Sequence, residues 1–135
     1  MMRFVGILVL IAAFVWLAIF GGPEGCSVEE AKLVRVRSDE DVIANAIRTY
    51  AASAGRPPST EQGLGALVKE PTAGPKPLRW IQVMRYVPTD PWGNDYKYRI
   101  VSEGDVMLRY ELSSAGKDGI VQTEDDRVKE IDWQR

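Results

Sequence analysis

Apolar residues fall along this chain in different rhythms. From Phe4 to Phe20 they run without a charge, preceded by Arg3 and closed by Gly21-Gly22-Pro23. At about 1.5 Å of rise per residue, that run predicts a helix just long enough to cross a bilayer. Between Ser27 and Gly55 the rhythm becomes helical. Val36, Ile43, Ile47, Tyr50 and Ala54 recur at helical spacing with Val42 and Ala46 beside them, while Arg35, Arg37, Asp39, Glu40, Asp41 and Arg48 fall mostly elsewhere. Ser27 with Glu30 three residues on has the form of a capping box, and Gly55 followed by Pro57-Pro58 ends the pattern. Further on, Tyr96, Tyr98 and Ile100 alternate with Lys97 and Arg99, the signature of a strand with one buried face. A turn over 102–105 predicts an antiparallel return from Met107 to Leu112, and Ile131 with Trp133 predicts a last short strand or a plug against the sheet.

The middle of the chain is punctuated more densely. Ser59 and Gln62 repeat the capping-box spacing, and Leu64, Leu67 and Val68 supply the apolar face of a helix kept brief by Gly63, Gly65 and Pro71. A proline-marked loop over 72–77 leads to an apolar cluster of Trp80, Ile81, Val83 and Tyr86, and residues 88–95 are rich in turn formers. The pattern predicts an α+β domain in which a long N-terminal helix and a short one accompany a small antiparallel sheet, preceded by a membrane-anchor helix. Residues 1–22 read as a transmembrane anchor or uncleaved signal, 23–30 as linker and helix start, and 31–135 as the soluble domain. A cleaved signal would want an Ala-x-Ala site, and lipidation of Cys26 an aliphatic residue three positions before it; neither is present. The lone Arg3 favours an N-terminus in the cytoplasm and a domain outside it, which implies a single-pass inner-membrane protein with a periplasmic or external domain.

Composition narrows the chemistry. Among 135 residues there are 17 Lys and Arg against 19 Asp and Glu, a net charge of −2, which leaves no electrostatic footprint for nucleic acid. The chain has no histidine and one cysteine, so His-based catalysis, His or Cys-rich zinc sites and an internal disulfide are all excluded. What remains is a glycine-punctuated loop from Ser113 to Asp126. Asp118, Asp125 and Asp126 lie close enough in it to converge on one hard cation such as Ca²⁺, which takes oxygen ligands. The spacing is not that of an EF-hand, and a solvated acidic loop accounts for the same residues. A carboxylate-pair enzyme would draw on Glu61, Asp90 and this loop, and Trp80 and Trp92 would suit a sugar ring. Asp90 before a proline is more simply a turn residue, and the tryptophans are more simply packing groups.

Several motifs, in order, resemble the major pseudopilin, or G subunit, of the type II secretion system. They are Asn45 to Tyr50; Gly55-Arg56-Pro57-Pro58; Thr60 to Val68; Asp90-Pro91-Trp92-Gly93-Asn94 with Tyr96 and Tyr98; and Ser114, Gly116, Asp118 and Gly119 with Asp125-Asp126 and Trp133. The resemblance covers roughly residues 31–133. It implies a pilin-like fold, a non-enzymatic role in assembly, and Ca²⁺ held by Asp118, Asp125 and Asp126, with backbone carbonyls and Ser114 completing the shell. It further implies a membrane location and, as partners, other pseudopilins, secretion-system components or copies of the chain. The first twenty residues depart from the family pattern. Gly6-Ile7-Leu8-Val9 has no phenylalanine after the glycine and no glutamate in the apolar run. That departure keeps open a membrane-anchored accessory domain that does not polymerise, and a peptide- or glycan-binding module of the envelope is the other alternative.

Overall fold

Ser27 and Glu30 form the expected capping box. Glu30 N donates to Ser27 Oγ at 3.2 Å, and Ser27 N donates back to Glu30 Oε2 at 3.0 Å. The helix they open, α1, runs Val28–Ala54. This computed structural model describes residues 27–103, 107–121, 123–124 and 126–134. The expected anchor at 1–22, residues 23–26 of the linker with Cys26, and Asp125 lie outside them. Among the described residues no helix is long and apolar enough to cross a membrane.

The buried face of α1 carries Val36, Ile43, Ala44, Ala46, Ile47, Tyr50, Ala51 and Ala54, which includes the whole stripe the periodicity predicts. Two positions differ from that pattern. Val42 is 53% exposed, because one residue along a helix turns the side chain by 100° and carries it off the stripe beside Ile43. Glu40, assigned to the polar side, is buried at 1% exposure, because a cation from another element meets it there. The helix stops at Gly55, whose φ of 83° closes the last turn, and Gly55 N donates to Ala51 O at 2.8 Å.

The second capping box also forms, with Gln62 N on Ser59 Oγ and Ser59 N on Gln62 Oε1. It leads only to a turn and a single stretch of 3₁₀ helix, Leu64–Leu67. Gln62 then reaches further, donating to the carbonyls of Ala73 and Pro75 and so fastening the proline loop. Leu67 O accepts from both Val83 N and Met84 N, and Trp80 Nε1 donates to Ala66 O at 2.9 Å. Within the expected apolar cluster, Trp80 and Val83 pack against the core, whereas Tyr86 is 71% exposed.

Three strands complete the domain: β1 Lys97–Glu103, β2 Met107–Ser114 and β3 Arg127–Gln134. They form one antiparallel sheet in the order β1-β2-β3. Leu108, Tyr110 and Leu112 of β2 and Ile131 of β3 join the apolar face of α1 in one core with Leu64, Leu67 and Tyr96. Burying each such side chain stabilises the fold by about 1.5–3 kcal/mol. The two outer strands are finished differently. The β1 register shifts between Ile100 and Ser102, and Ile100 N donates to the Thr60 hydroxyl at 2.9 Å. Strand β3 carries Lys129, Glu130 and Asp132 along its length.

Candidate metal centre

The acidic loop is the connection between β2 and β3, and its neck is the last pair of their ladder, Ser114 opposite Arg127. Alternation along β2 turns Ser114 to the buried side, where its hydroxyl donates to Asp90 Oδ2 at 2.7 Å. Across the ladder, Arg127 Nε lies 3.4 Å from Glu40 Oε2 on α1. The chain leaves the neck through Ala115 and turns at Gly116 and Gly119, with φ of 63° and 71°. Beyond the turn, Asp118 Oδ1 accepts the amide of Ile120 at 2.8 Å.

Thr123 is the centre of the loop's second half. Its Oγ1 lies 3.0 Å from Ile120 O, 3.3 Å from Asp126 Oδ1 and 3.5 Å from Asp118 Oδ1. One hydroxyl hydrogen serves one of these acceptors at a time. Asp126 N closes the turn on Thr123 O at 3.2 Å. Two carboxylates, a hydroxyl and a carbonyl turned together form an all-oxygen donor set, which suits a hard divalent cation and not a soft one. Thr123 and Asp126 also line a cavity of about 560 Å³ between the loop and the outer face of the sheet, shared with Lys97, Arg99 and Glu111.

Of the residues that the sequence marks, Asp118 and Asp126 are thus brought together through Thr123. Asp125 lies outside the described residues. Among those described, no group of three Asp, Glu, Cys or His side chains is assembled for a metal. Ser114 sits at the neck with its hydrogen committed to Asp90. Thr123 escapes a search for acidic residues; its one signal in the sequence is a hydroxyl spaced between Asp118 and Asp126.

The remaining carboxylates and tryptophans take other places. Asp90 is 2% exposed and accepts four neutral donors: Trp92 N at 3.0 Å, Asn94 N at 2.8 Å, Asn94 Nδ2 at 3.4 Å and the Ser114 hydroxyl. Glu61 is exposed and lines a separate depression of about 320 Å³ beside Gln62 and Lys69. Trp80 and Trp92 pack against the core, with the Lys32 ammonium 5.6 Å from the Trp92 ring centre.

A helix on a three-stranded sheet with a long β2–β3 loop has counterparts among known proteins. The sequence model of the family described as type II secretion system (T2SS), protein G, matches residues 26–133. The type II secretion system core protein G of Pseudomonas aeruginosa is 36% identical over 115 residues, which are 84% of this chain and 78% of that protein. That of Dickeya chrysanthemi is 39% identical over 100 residues, 73% of this chain and 63% of that one. The crystal structure of the major pseudopilin from the type 2 secretion system of enterohaemorrhagic Escherichia coli superposes with a TM-score of 0.66 at 36% identity. It covers 74% of this chain and 87% of the other. With helix, sheet and loop all inside the matched span, the chain belongs to the type II secretion system protein G family.

Proposed function

We propose that this chain is a non-catalytic structural subunit of the major-pseudopilin type, assembling with like subunits in type II protein secretion. In this reading Phe4 to Phe20 anchors it in the inner membrane, and the domain stands on the periplasmic side. The observation that carries the structural role is the shared fold, with the family match running through helix, sheet and loop alike.

The proposal includes Ca²⁺ as a resident ion of the β2–β3 loop. Asp118, Asp125, Asp126 and Thr123 would hold it with carbonyls of the same loop, and Ser114 has at most a spare lone pair to add. The convergence of Asp118 Oδ1, Asp126 Oδ1 and Ile120 O within 3.5 Å of the Thr123 hydroxyl oxygen supports this assignment. The ion would offset the mutual repulsion of the carboxylates and tie a segment without regular structure to the sheet. Its role is in folding and assembly, not in catalysis.

Thermal unfolding in calcium and in chelator tests the ion: a higher melting temperature in calcium, abolished by Asp126→Ala, is expected. No calcium-dependent shift together with no copurifying ion overturns that part. Crosslinking in cells that make the secretion apparatus tests assembly. Homo-oligomer ladders or adducts to other pseudopilins are expected, and monomer alone points instead to an accessory domain that does not polymerise.

A further inference from the structure

Among the described residues, the polar side chains buried in the core are Glu40, Asp90 and Ser114. All of them meet at the neck of the acidic loop, where Ser114 and Arg127 face each other. Asp90 is the one that needs explaining. A turn of the Asp-Pro-Trp-Gly-Asn kind forms well with its aspartate at the surface, and burying a carboxylate among neutral donors has a solvation cost.

What the burial accomplishes is visible in its neighbours. Asp90 Oδ1 takes the amides of Trp92 and Asn94, fixing the turn, while Oδ2 takes the Ser114 hydroxyl, fixing the first residue of the loop's neck. Asn94, held by the same carboxylate, donates from Nδ2 to Gly116 O at 2.9 Å. On the far side, a Cβ at Gly119 would lie 3.1 Å from Asn94 Oδ1. The turn therefore holds the loop by hydrogen bonds at 114 and 116, on the approach to Asp118, and Asn94 stands close beside Gly119.

We infer that Asp90 is a positioning residue for the cation loop: through Ser114 and Asn94 it holds Asp118 in place before any ion arrives, and so sets the affinity for calcium without touching the ion. Its carboxylate is already filled by four donors, which leaves it unsuited to serve as a ligand itself. Outer partners that orient ligands in this way typically change metal affinity by about 10–100-fold. The inference rests on the calcium reading above and adds to it a residue far from the loop in sequence.

The test is calcium titration calorimetry on the full chain, carried out for wild type, Asp90→Ala, Ser114→Ala, the double variant, Ser114→Thr and Asn94→Ala, with unfolding in chelator as a second readout. Asp90→Ala and Ser114→Ala are each expected to weaken calcium binding by about tenfold or more. The double variant should be no weaker than the worse single one, because both remove the same link. Ser114→Thr keeps the hydroxyl and should bind as wild type does. Asn94→Ala leaves the buried carboxylate in place, so it keeps the result decisive if Asp90→Ala fails to fold, and it should weaken binding severalfold. Losses that simply add in the double variant would make Ser114 a direct ligand and overturn the inference. Variants less stable in chelator yet unchanged in calcium affinity would overturn it too, leaving Asp90 a plain fold residue. A wild type that binds no calcium overturns the ion reading itself, a result distinct from both.

Discussion

Glu40 and Arg127 meet at 3.4 Å between α1 and β3, the carboxylate buried and the guanidinium about one third open to solvent. Beside them, Lys129 of β3 pairs with the exposed Asp41 of α1. The pKa values of the two acids are shifted in opposite directions. Burial raises the Glu40 pKa above its ordinary 4.5, although Arg127 and Lys129 pull it down. The hydrogen bond from Lys129 lowers that of Asp41 below 3.8.

For Glu40, the protonated form is favoured in the folded state, so its stabilising contribution is full below about pH 4.5 and is lost as pH rises through the higher folded value. For Asp41 the contribution is present above about pH 3.8 and is lost as pH falls through the lower folded value. Urea unfolding should therefore show wild type gaining on Glu40→Gln as pH falls from 7 to 4.5, and losing ground to Asp41→Asn below about pH 4. Differences that stay flat with pH would contradict both assignments.

Two tyrosines packed with tilted rings at the sheet give a second contrast. Tyr98 and Tyr110 have ring centres 5.5 Å apart, but only Tyr98 places its hydroxyl on an acceptor, Pro58 O at 2.6 Å. Tyr110 OH is buried without a hydrogen-bond partner among the described residues, and burial pushes its pKa up to about 12. Tyr98→Phe should cost about 1–2 kcal/mol in chemical denaturation, whereas Tyr110→Phe should be neutral or stabilising by up to about 1 kcal/mol.

Gly55 offers a test of backbone strain. Its φ of 83° suits glycine, and a Cβ there would come 2.7 Å from Leu78 Cδ1. Leu78 is 87% exposed and free to move aside, so the penalty lies in the backbone. Gly55→Ala should lower stability by about 1 kcal/mol, and adding Leu78→Ala should not restore it.

In the loop, Thr123→Val removes the hydroxyl that joins Asp118 to Asp126 while keeping the shape of the side chain. With Ca²⁺ held as proposed, affinity should fall by about tenfold on this change, and Thr123→Ser should preserve it. Equal affinities for the Val and Ser variants would place the ion away from this hydroxyl.

Much of this fold is legible in local spacing. Both capping boxes, the stop at Gly55 and the β1–β2 hairpin depend on residues a few positions apart, and the chain shows them directly. The length of β3 is another matter. Its inward positions are Arg127, Lys129, Ile131 and Trp133, and the first two meet acids of α1, so the alternation expected of a half-buried strand is filled with charge and disappears from the sequence. Glu40 is hidden for the same reason, since only its partner on β3 makes burial tolerable. The burial of Asp90 and the place of Thr123 depend on how the loop curls, which no periodicity records.

The two finished edges of the sheet bear on how copies of this chain meet. A strand edge left open invites another strand to hydrogen-bond alongside it, which is how concentrated β-rich proteins fuse into fibres. Here the Ile100 amide of β1 is occupied by Thr60 beside a break in register, and β3 carries Glu130 and Asp132 on the side away from α1. An occupied amide on one flank and a run of charge on the other both disfavour edge-to-edge pairing, so crowded copies would each tend to keep their own sheet.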